Sequence, residues 1–504
     1  MGIGGQGISA VAQMARLAGD VVTGCDRQAS ATTRMLERAG IAVAIGHNPE
    51  HVVGQGAEID ALVISPAVTA LDADNPELVE ARRRGVRVIS WQELLGELMR
   101  GKCLLSVSGV HGKGTTTAML ALMLVDAGLD PTVEIGAVVP RFGANYRLGQ
   151  SRYAVNEADE FNHNFWHYHP RLVVVTSIEF EHPEFFADYE AFLAAFEHFI
   201  RGMDMSGDRS LPPTLVLNAD SPGCLELRDR LSDWPGRVVT CSVAGLAPSQ
   251  EEAGAASIRE QATFQAVDVK LEGETSFRVR GPDGKVWAET IRLRLPGVHN
   301  VQNALAALTA ASLLGVDAAT IRQTLEDFSG IRRRFEIRHA GSLAIEGENG
   351  QVRLAEDIIL VDDYAHHPTA IEATLQAARL RYPERRLVAV YQPHMFSRTK
   401  TFFEQFRTAF DAADVALIAD IFPARERDTG LISSQDLAAA IAQRPAFASG
   451  KREVMHSGGV QETASMLRRV LRSGDLVLIM GAGDVYTVTE MLLQEDVAGE
   501  VKRR

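Results

Sequence analysis

The stretch CLLSVSGVHGKGTTTAMLALMLVDAGL, residues 103–129, constrains the fold more than any other part of the chain. Its apolar start, CLLSVSG (103–109), predicts a buried strand, and TTTAMLALMLVDAGL predicts a helix. A strand that runs through a glycine turn into a helix belongs to an α/β sheet, and its turn can cradle a phosphate on backbone N–H groups. The common loop reads G-x-x-x-x-G-K-[ST]. Here Val107 stands at the first glycine position and Gly114 follows Lys113. Gly109 and Gly112 still let N–H groups converge, and Lys113 supplies a point charge. Thr115, Thr116 and Thr117 cap the helix and offer a hydroxyl to Mg²⁺, one residue later than usual. The plain alternative is a helix-capping turn with no ligand.

The same rhythm recurs along the 504 residues. The runs ALVISPAV (61–68) and VRVISW (86–91) flank a helical NPELVEARRRG. LVVVTSI (172–178) and TLVLNAD (214–220) continue a parallel pattern, and residues 262–297 alternate around GPDG as an antiparallel excursion. IILVDDYA, RLVAVYQP, VALIADI and DLVLIMGAG are strands that end in polar or glycine residues, the edge where open α/β sheets bind ligands. Three α/β units follow, 1–98, 99–328 and 329–504, and 245–261 reads as a loop. The opening MGIGGQGISAVAQMARLAG is a glycine turn entering a helix, but no strand precedes the glycines. The first strand is therefore expected to be absent, or the start mis-set.

A net charge of −14 argues against a general nucleic-acid binder. Four scattered cysteines, with no C-x-x-C pair, fit a reducing cytosol. No apolar run reaches the roughly 18 residues of a membrane span, and no signal peptide is evident.

Several polar clusters stand out. NEADEFNHNFWHYHP (156–170) gathers Glu157, Asp159 and Glu160, either hard oxygen ligands for Mg²⁺ or a solvated acidic turn. Glu181 and His182 follow a strand. His299, Asn300 and Asn303 sit at a glycine turn entering a helix, able to read an adenine edge or merely to cap. Arg332, Arg333 and Arg334 form a charge run that could clamp phosphates. Asp362, Asp363, His366 and His367 end one strand; His394, Arg398 and Lys400 follow another. An arginine there could hold a carboxylate bidentately.

Taken in order, these segments resemble the Mur ligase family, over essentially the whole chain. GIGGQGIS is similar to the UDP-binding turn, GVHGKGTTT to the ATP loop and EADE to the magnesium acid. HNVQNALAA resembles the adenine turn, and RRF and DDYAHHPT the C-terminal phosphate elements. The resemblance implies an α/β fold of three domains: a Rossmann-like UDP-sugar domain (1–98), a central ATP-binding domain with a parallel sheet plus a small antiparallel one (99–328), and a Rossmann-like amino-acid domain (329–504). It implies an ATP- and Mg²⁺-dependent ligase of peptidoglycan precursor synthesis, cytoplasmic, a monomer or homodimer, without nucleic-acid or membrane partners. It assigns ATP to Gly109, Val110, His111, Gly112, Lys113, Gly114, Thr115, Thr116, His299, Asn300, Asn303, Arg334 and Asp363. Metal goes to Thr115, Glu157 and His182, with Lys113, Glu157, His182, Arg334 and Asp363 catalytic. The UDP-sugar goes to Gly4, Gly5, Gly7 and Ser65, and the amino acid to His367, His394 and Arg398.

Within the family, His111, the paired histidines of DDYAHHPT, QPHMFSRT, DNPE (74–77) and GAGD (481–484) resemble the members that join L-alanine to UDP-N-acetylmuramate. Later-acting members use a carbamylated lysine in the central domain, and no lysine lies between Lys113 and Lys270. Two alternatives stay open: a ligase that recycles a tripeptide onto the same sugar, and a non-catalytic ATP-binding relative. Ser177 stands where the family usually has Asn, Glu181 where it has Asp, and NHNFWHYHP is unusually rich in histidine and aromatics.

Overall fold

The computed structural model describes residues 1–504 except 54–58, 66–67, 69–71, 73, 207–210, 246–257, 347–350, 425, 429, 449, 451 and 502–504, with only the backbone of 495–501. Most of the expected 245–261 loop thus lies outside the described residues. The chain forms two compact units. One comprises Met1–Glu179, Tyr189–Gln265 and Asn303–Thr324; the other comprises Phe180–Asp188, Ala266–Gln302 and Leu325–Arg504. Among the described residues, no helix is long and apolar enough to cross a membrane.

The first unit opens with a small parallel layer. Strand β1 (Thr23–Asp26) pairs with β2 (Ala42–Ile45), and β3 (Ala61–Ile64) with β4 (Arg87–Ser90). Met1–Ile3 join the two pairs. The Ile3 N–H donates to the Cys25 carbonyl (3.0 Å), the Met1 ammonium to that of Val63 (2.7 Å), and the Ser65 N–H to that of Met1 (3.2 Å). The layer is therefore continuous, although no strand of regular length precedes the glycines. Helix Gln6–Ala18 follows the turn and buries Ile8–Ala15.

The larger sheet of this unit holds β5 (Cys103–Ser108), β6 (Thr132–Val139), β7 (Ala144–Arg147), β8 (Tyr153–Glu157), β9 (Leu172–Val175), β10 (Thr214–Asn218) and β11 (Arg237–Val243). They run in the order β11-β10-β9-β5-β8-β6-β7, parallel except for β7. Helix Lys113–Asp126 is buried from Gly114 to Leu124. Its sequence is apolar on every face, so it can only sit inside, against β5, β6 and β8. The NHNFWHYHP segment proves to be a packing device. It forms a 3₁₀ turn, Phe161–His167, that stacks Phe165 on Phe199 and donates the Trp166 indole N–H to the Ala195 carbonyl (3.1 Å).

Strand β12 (Phe264–Lys270) spans the sequence boundary at Gln265, and the second unit continues with β13 (Thr275–Arg280) and β14 (Ile291–Leu293), antiparallel as the alternation around GPDG predicts. The main sheet holds β15 (Glu336–Glu346), β16 (Val352–Asp363), β17 (Leu387–Tyr391), β18 (Val415–Ala419), β19 (Glu453–Gly458) and β20 (Leu476–Met480). The order is β15-β16-β20-β17-β18-β19, with β15 alone antiparallel. Its core gathers Leu360, Val388, Leu417, Val477 and Ile479. After β16 the chain crosses over to β17 and leaves room for β20 between them. This is a switch point, and Asp363, His394 and Gly481 lie at its carboxyl edge.

Candidate active site

The glycine loop Gly109–Gly112 lies at the carboxyl end of β5, the position the sequence predicts. Gly109 has φ of +123° and Gly112 φ of +80°. A side chain at Gly109 would clash with Thr176, and one at Gly112 with the Asn303 amide. Both positions require glycine for backbone conformation and for close approach. The loop is pinned from β9: the Val110 N–H donates to the Ser177 carbonyl (2.9 Å) and the His111 N–H to the Ser177 hydroxyl (3.0 Å). Ser177, in place of the family's Asn, thus keeps a hydrogen-bonding role. The His111 ring contacts Glu179.

Lys113 is folded back. Its ammonium donates to the Gly109 carbonyl (2.7 Å) and to both oxygens of Glu160 (2.9 and 3.1 Å), with Asp159 4.0 Å away. Burial opposes the charge, but Glu160, Asp159 and Glu157 outweigh it and raise the lysine pKa. Thr116 donates to the Asn303 amide oxygen (3.3 Å) and Thr117 to the Lys113 carbonyl (2.8 Å). Thr115 is buried in the first turn of the same helix. Glu157 ends β8 and accepts from the Gly136 N–H (2.8 Å). Burial, together with Glu157 and Asp159, raises the Glu134 pKa well above the usual range. Such crowding of carboxylates beside a lysine suits a site that receives a hard cation and a phosphate. Sequence reasoning places Glu160 among the candidate Mg²⁺ ligands, whereas here it pairs with Lys113, and it misses Glu134, which lies inside a strand.

Near the N-terminus, Gly4 donates its N–H to Asp26 (2.8 Å), and Gly5 precedes helix Gln6–Ala18. Gly7 packs against the Trp91 indole, so its missing side chain serves helix packing. Ser65 follows β3.

The second unit holds the remaining expected residues. Asp363 accepts from the N–H groups of Phe335 and Ala365 (both 2.7 Å), and burial raises its pKa against the pull of Arg334. The Arg334 guanidinium lies over the Tyr364 ring at 5.0 Å, and Arg333 donates to the Gly481 carbonyl (2.8 Å). Asn300 is buried and donates to the Pro296 carbonyl (2.8 Å), with its amide 3.0 Å from His299 Nε2.

A second charged centre surrounds Arg398. Its Nε and one terminal nitrogen donate to Glu181 Oε1 (2.9 and 2.8 Å), and the other terminal nitrogen lies 3.0 Å from His394 Nδ1. The carboxylate expected for this arginine is thus, in this structure, a protein side chain. Burial raises the Glu181 pKa, but Arg398, His367 and His182 outweigh it and hold that carboxyl well below the usual range. His367 is buried against Phe402 at 4.8 Å, and His394 stacks on Phe422 at 5.7 Å. His182 pairs with Glu184 (3.0 Å), which keeps that carboxyl at about 2 although burial opposes it. Burial and Arg398 push His366 well below its usual pKa.

Comparison with known proteins matches three family models in chain order: "Mur ligase family, catalytic domain" over residues 1–103, "Mur ligase middle domain" over 107–311, and "Mur ligase, glutamate ligase domain" over 350–483. The UDP-N-acetylmuramate–L-alanine ligase of Desulforapulum autotrophicum is 36% identical over 98% of this chain and 97% of its own. Among solved structures, the UDP-N-acetylmuramate-alanine ligase of Thermotoga maritima superposes with a TM-score of 0.74 at 25% identity, covering 99% of this chain and 98% of that one. A murein peptide ligase of Psychrobacter arcticus superposes with a TM-score of 0.66 at 25% identity, covering 98% and 97%.

Proposed function

The chain belongs to the Mur ligase family, and from that premise we propose that it joins L-alanine to the lactyl carboxylate of UDP-N-acetylmuramate, with ATP cleaved to ADP and phosphate. The observation that carries the reading is the Lys113 ammonium, held over a glycine loop by a buried carboxylate at the ligand edge of β5. The choice of L-alanine is supported by the full-length likeness to relatives named for that reaction.

The chemistry sets what the residues must do. A carboxylate is a poor electrophile because its leaving group would be oxide. Transfer of the γ-phosphoryl group to the lactyl carboxylate gives an acyl phosphate; the amine of alanine attacks its carbonyl carbon, and phosphate leaves. The protein's part is positioning and charge neutralisation. Lys113 exchanges Glu160 for the β- and γ-phosphates, while the loop N–H groups from Gly109 to Thr116 hold the phosphate oxygens. Thr115 and Glu157 would hold Mg²⁺, with His182 at a second position; these are oxygen and imidazole donors of suitable kind, and the ion would neutralise phosphate charge. His299 and Asn300 face the adenosine, Asn303 supports the loop, and Arg334 and Asp363 act on the nucleotide. Gly4, Gly5 and Ser65 line the sugar-nucleotide turn, and Gly7 lets the following helix pack on Trp91. His367 and His394 meet the amino acid, with Arg398 fixing His394. The domains are 1–98, 99–328 and 329–504, and the enzyme works in the cytoplasm.

The test is ADP release with UDP-N-acetylmuramate and a panel of L-alanine, glycine, L-serine and the murein tripeptide. Turnover with L-alanine is expected. Turnover with the tripeptide alone moves the reading to the recycling ligase, which the Psychrobacter likeness keeps in view. ATP binding without turnover on any amine overturns the catalytic reading.

A further inference from the structure

A cluster in the N-terminal layer takes no part in that chemistry. Glu77 sits in the first turn of helix Pro76–Arg84, and its side chain is 1% exposed. The Cys25 thiol donates to its Oε2 (2.9 Å). Its Oε1 lies 2.7 Å from His51 Nδ1 and 3.5 Å from His47 Nδ1, and accepts from the Asn48 N–H (3.1 Å). Cys25 Sγ is 3.7 Å from His47 Nδ1. One ligating atom each from Cys25, His47 and Glu77 lies within 4.8 Å of the other two.

These spacings suit a tetrahedral ion. With metal–ligand bonds of about 2.0–2.3 Å, neighbouring ligand atoms stand about 3.3–3.6 Å apart. The His47–Glu77 separation (3.5 Å) falls in that range, and the Cys25–His47 separation (3.7 Å) stands just beyond it. The shorter Cys25–Glu77 contact is a thiol hydrogen bond, which opens when the proton leaves. A thiolate, an imidazole and a carboxylate form a donor set for Zn²⁺; Mg²⁺ and Ca²⁺ prefer oxygen alone. The side chains of His47 and His51, 17% and 31% exposed, give an ion its way in.

We propose that Cys25, His47 and Glu77 form a Zn²⁺ site, with His51 orienting the Glu77 carboxylate and water completing the tetrahedron. Binding forms one Zn–S, one Zn–N and one Zn–O bond and releases the Cys25 thiol proton to solvent; nothing is oxidised or reduced. The ion ties β1 to helix Pro76–Arg84 beside the glycine turn, whose Ile3 N–H donates to the Cys25 carbonyl (3.0 Å). The site stands independently of the ligase reading.

The experiment titrates the metal-free full-length protein with Co²⁺. The expected result is a thiolate-to-cobalt charge-transfer band with tetrahedral d–d bands, saturating at a single ion per chain, bleached by Zn²⁺ and untouched by Mg²⁺. Cys25→Ser should lose the charge-transfer band while keeping the far-ultraviolet circular dichroism of the wild type. His51→Ala should weaken binding about 10–100-fold, as loss of an outer-shell partner does. Absence of the band in the wild type, or its survival in Cys25→Ser, overturns the proposal.

Discussion

Lys113, 13% exposed, and Arg398, 2% exposed, are cations that face buried carboxylates, yet they are held in opposite ways. Lys113 reaches Glu160 with a single flexible ammonium above a glycine turn. Each of its contacts can be traded for a phosphate oxygen without moving the backbone. Arg398 is only 2% exposed, and all three of its guanidinium nitrogens are engaged, two by Glu181 and one by His394. A planar fork held at every nitrogen is a pin: it fixes the loop Phe180–Asp188 to helix Phe396–Thr401. The difference teaches that a buried ion pair in this protein can be either an exchangeable contact or a structural tie. The number of fixed donor atoms separates the two.

The contrast can be broken most strongly at the lysine. Lys113→Ala should lower ADP release at least about 10³-fold with little change in melting temperature, because one preorganised charge on the transferring group is lost. Activity near wild type would remove Lys113 from the phosphate site. At the pin the expected damage is to stability. Arg398→Ala leaves Glu181 charged and buried, which should cost about 3–5 kcal/mol in chemical denaturation. The pair Glu181→Leu with Arg398→Met should recover much of that loss; equal loss in single and double variants would mean that the tie contributes nothing specific.

A pH series sharpens the comparison. His366 is held neutral by burial and by Arg398, so on acidification the unfolded chain takes up its proton first. Stability should therefore fall below pH about 6.5, and His366→Asn should remove up to about 2 kcal/mol of the difference between pH 7 and pH 5. The smallest effect belongs to the exchangeable pair. Glu160→Gln frees Lys113 while preserving shape, so ADP measured by calorimetry should bind a few-fold more tightly. Weaker binding would show that Glu160 presents the lysine to the nucleotide.

Much of this was legible before any coordinates. The run CLLSVSG read as a buried strand and Gly109 and Gly112 as a turn, while the helix they lead into already begins at Lys113. The C-terminal strands were equally plain, since strands buried on both faces read as continuous apolar runs. Strands β6, β7, β15 and β19 were not, because they carry polar and charged residues such as Glu134, Arg147, His339 and His456. Nor could the sequence say that NHNFWHYHP serves packing.

The chain alone determined which chemistry-bearing residues exist, and that most of them fall at the carboxyl ends of parallel strands, because hydrophobic period and glycine placement are local properties. Only the tertiary structure decided their partners: Glu160 for Lys113, 47 positions away; Glu181 for Arg398, 217 away; Glu77 for Cys25, 52 away. Charge pairing acts through space at a few ångströms, and no local pattern along the chain records it.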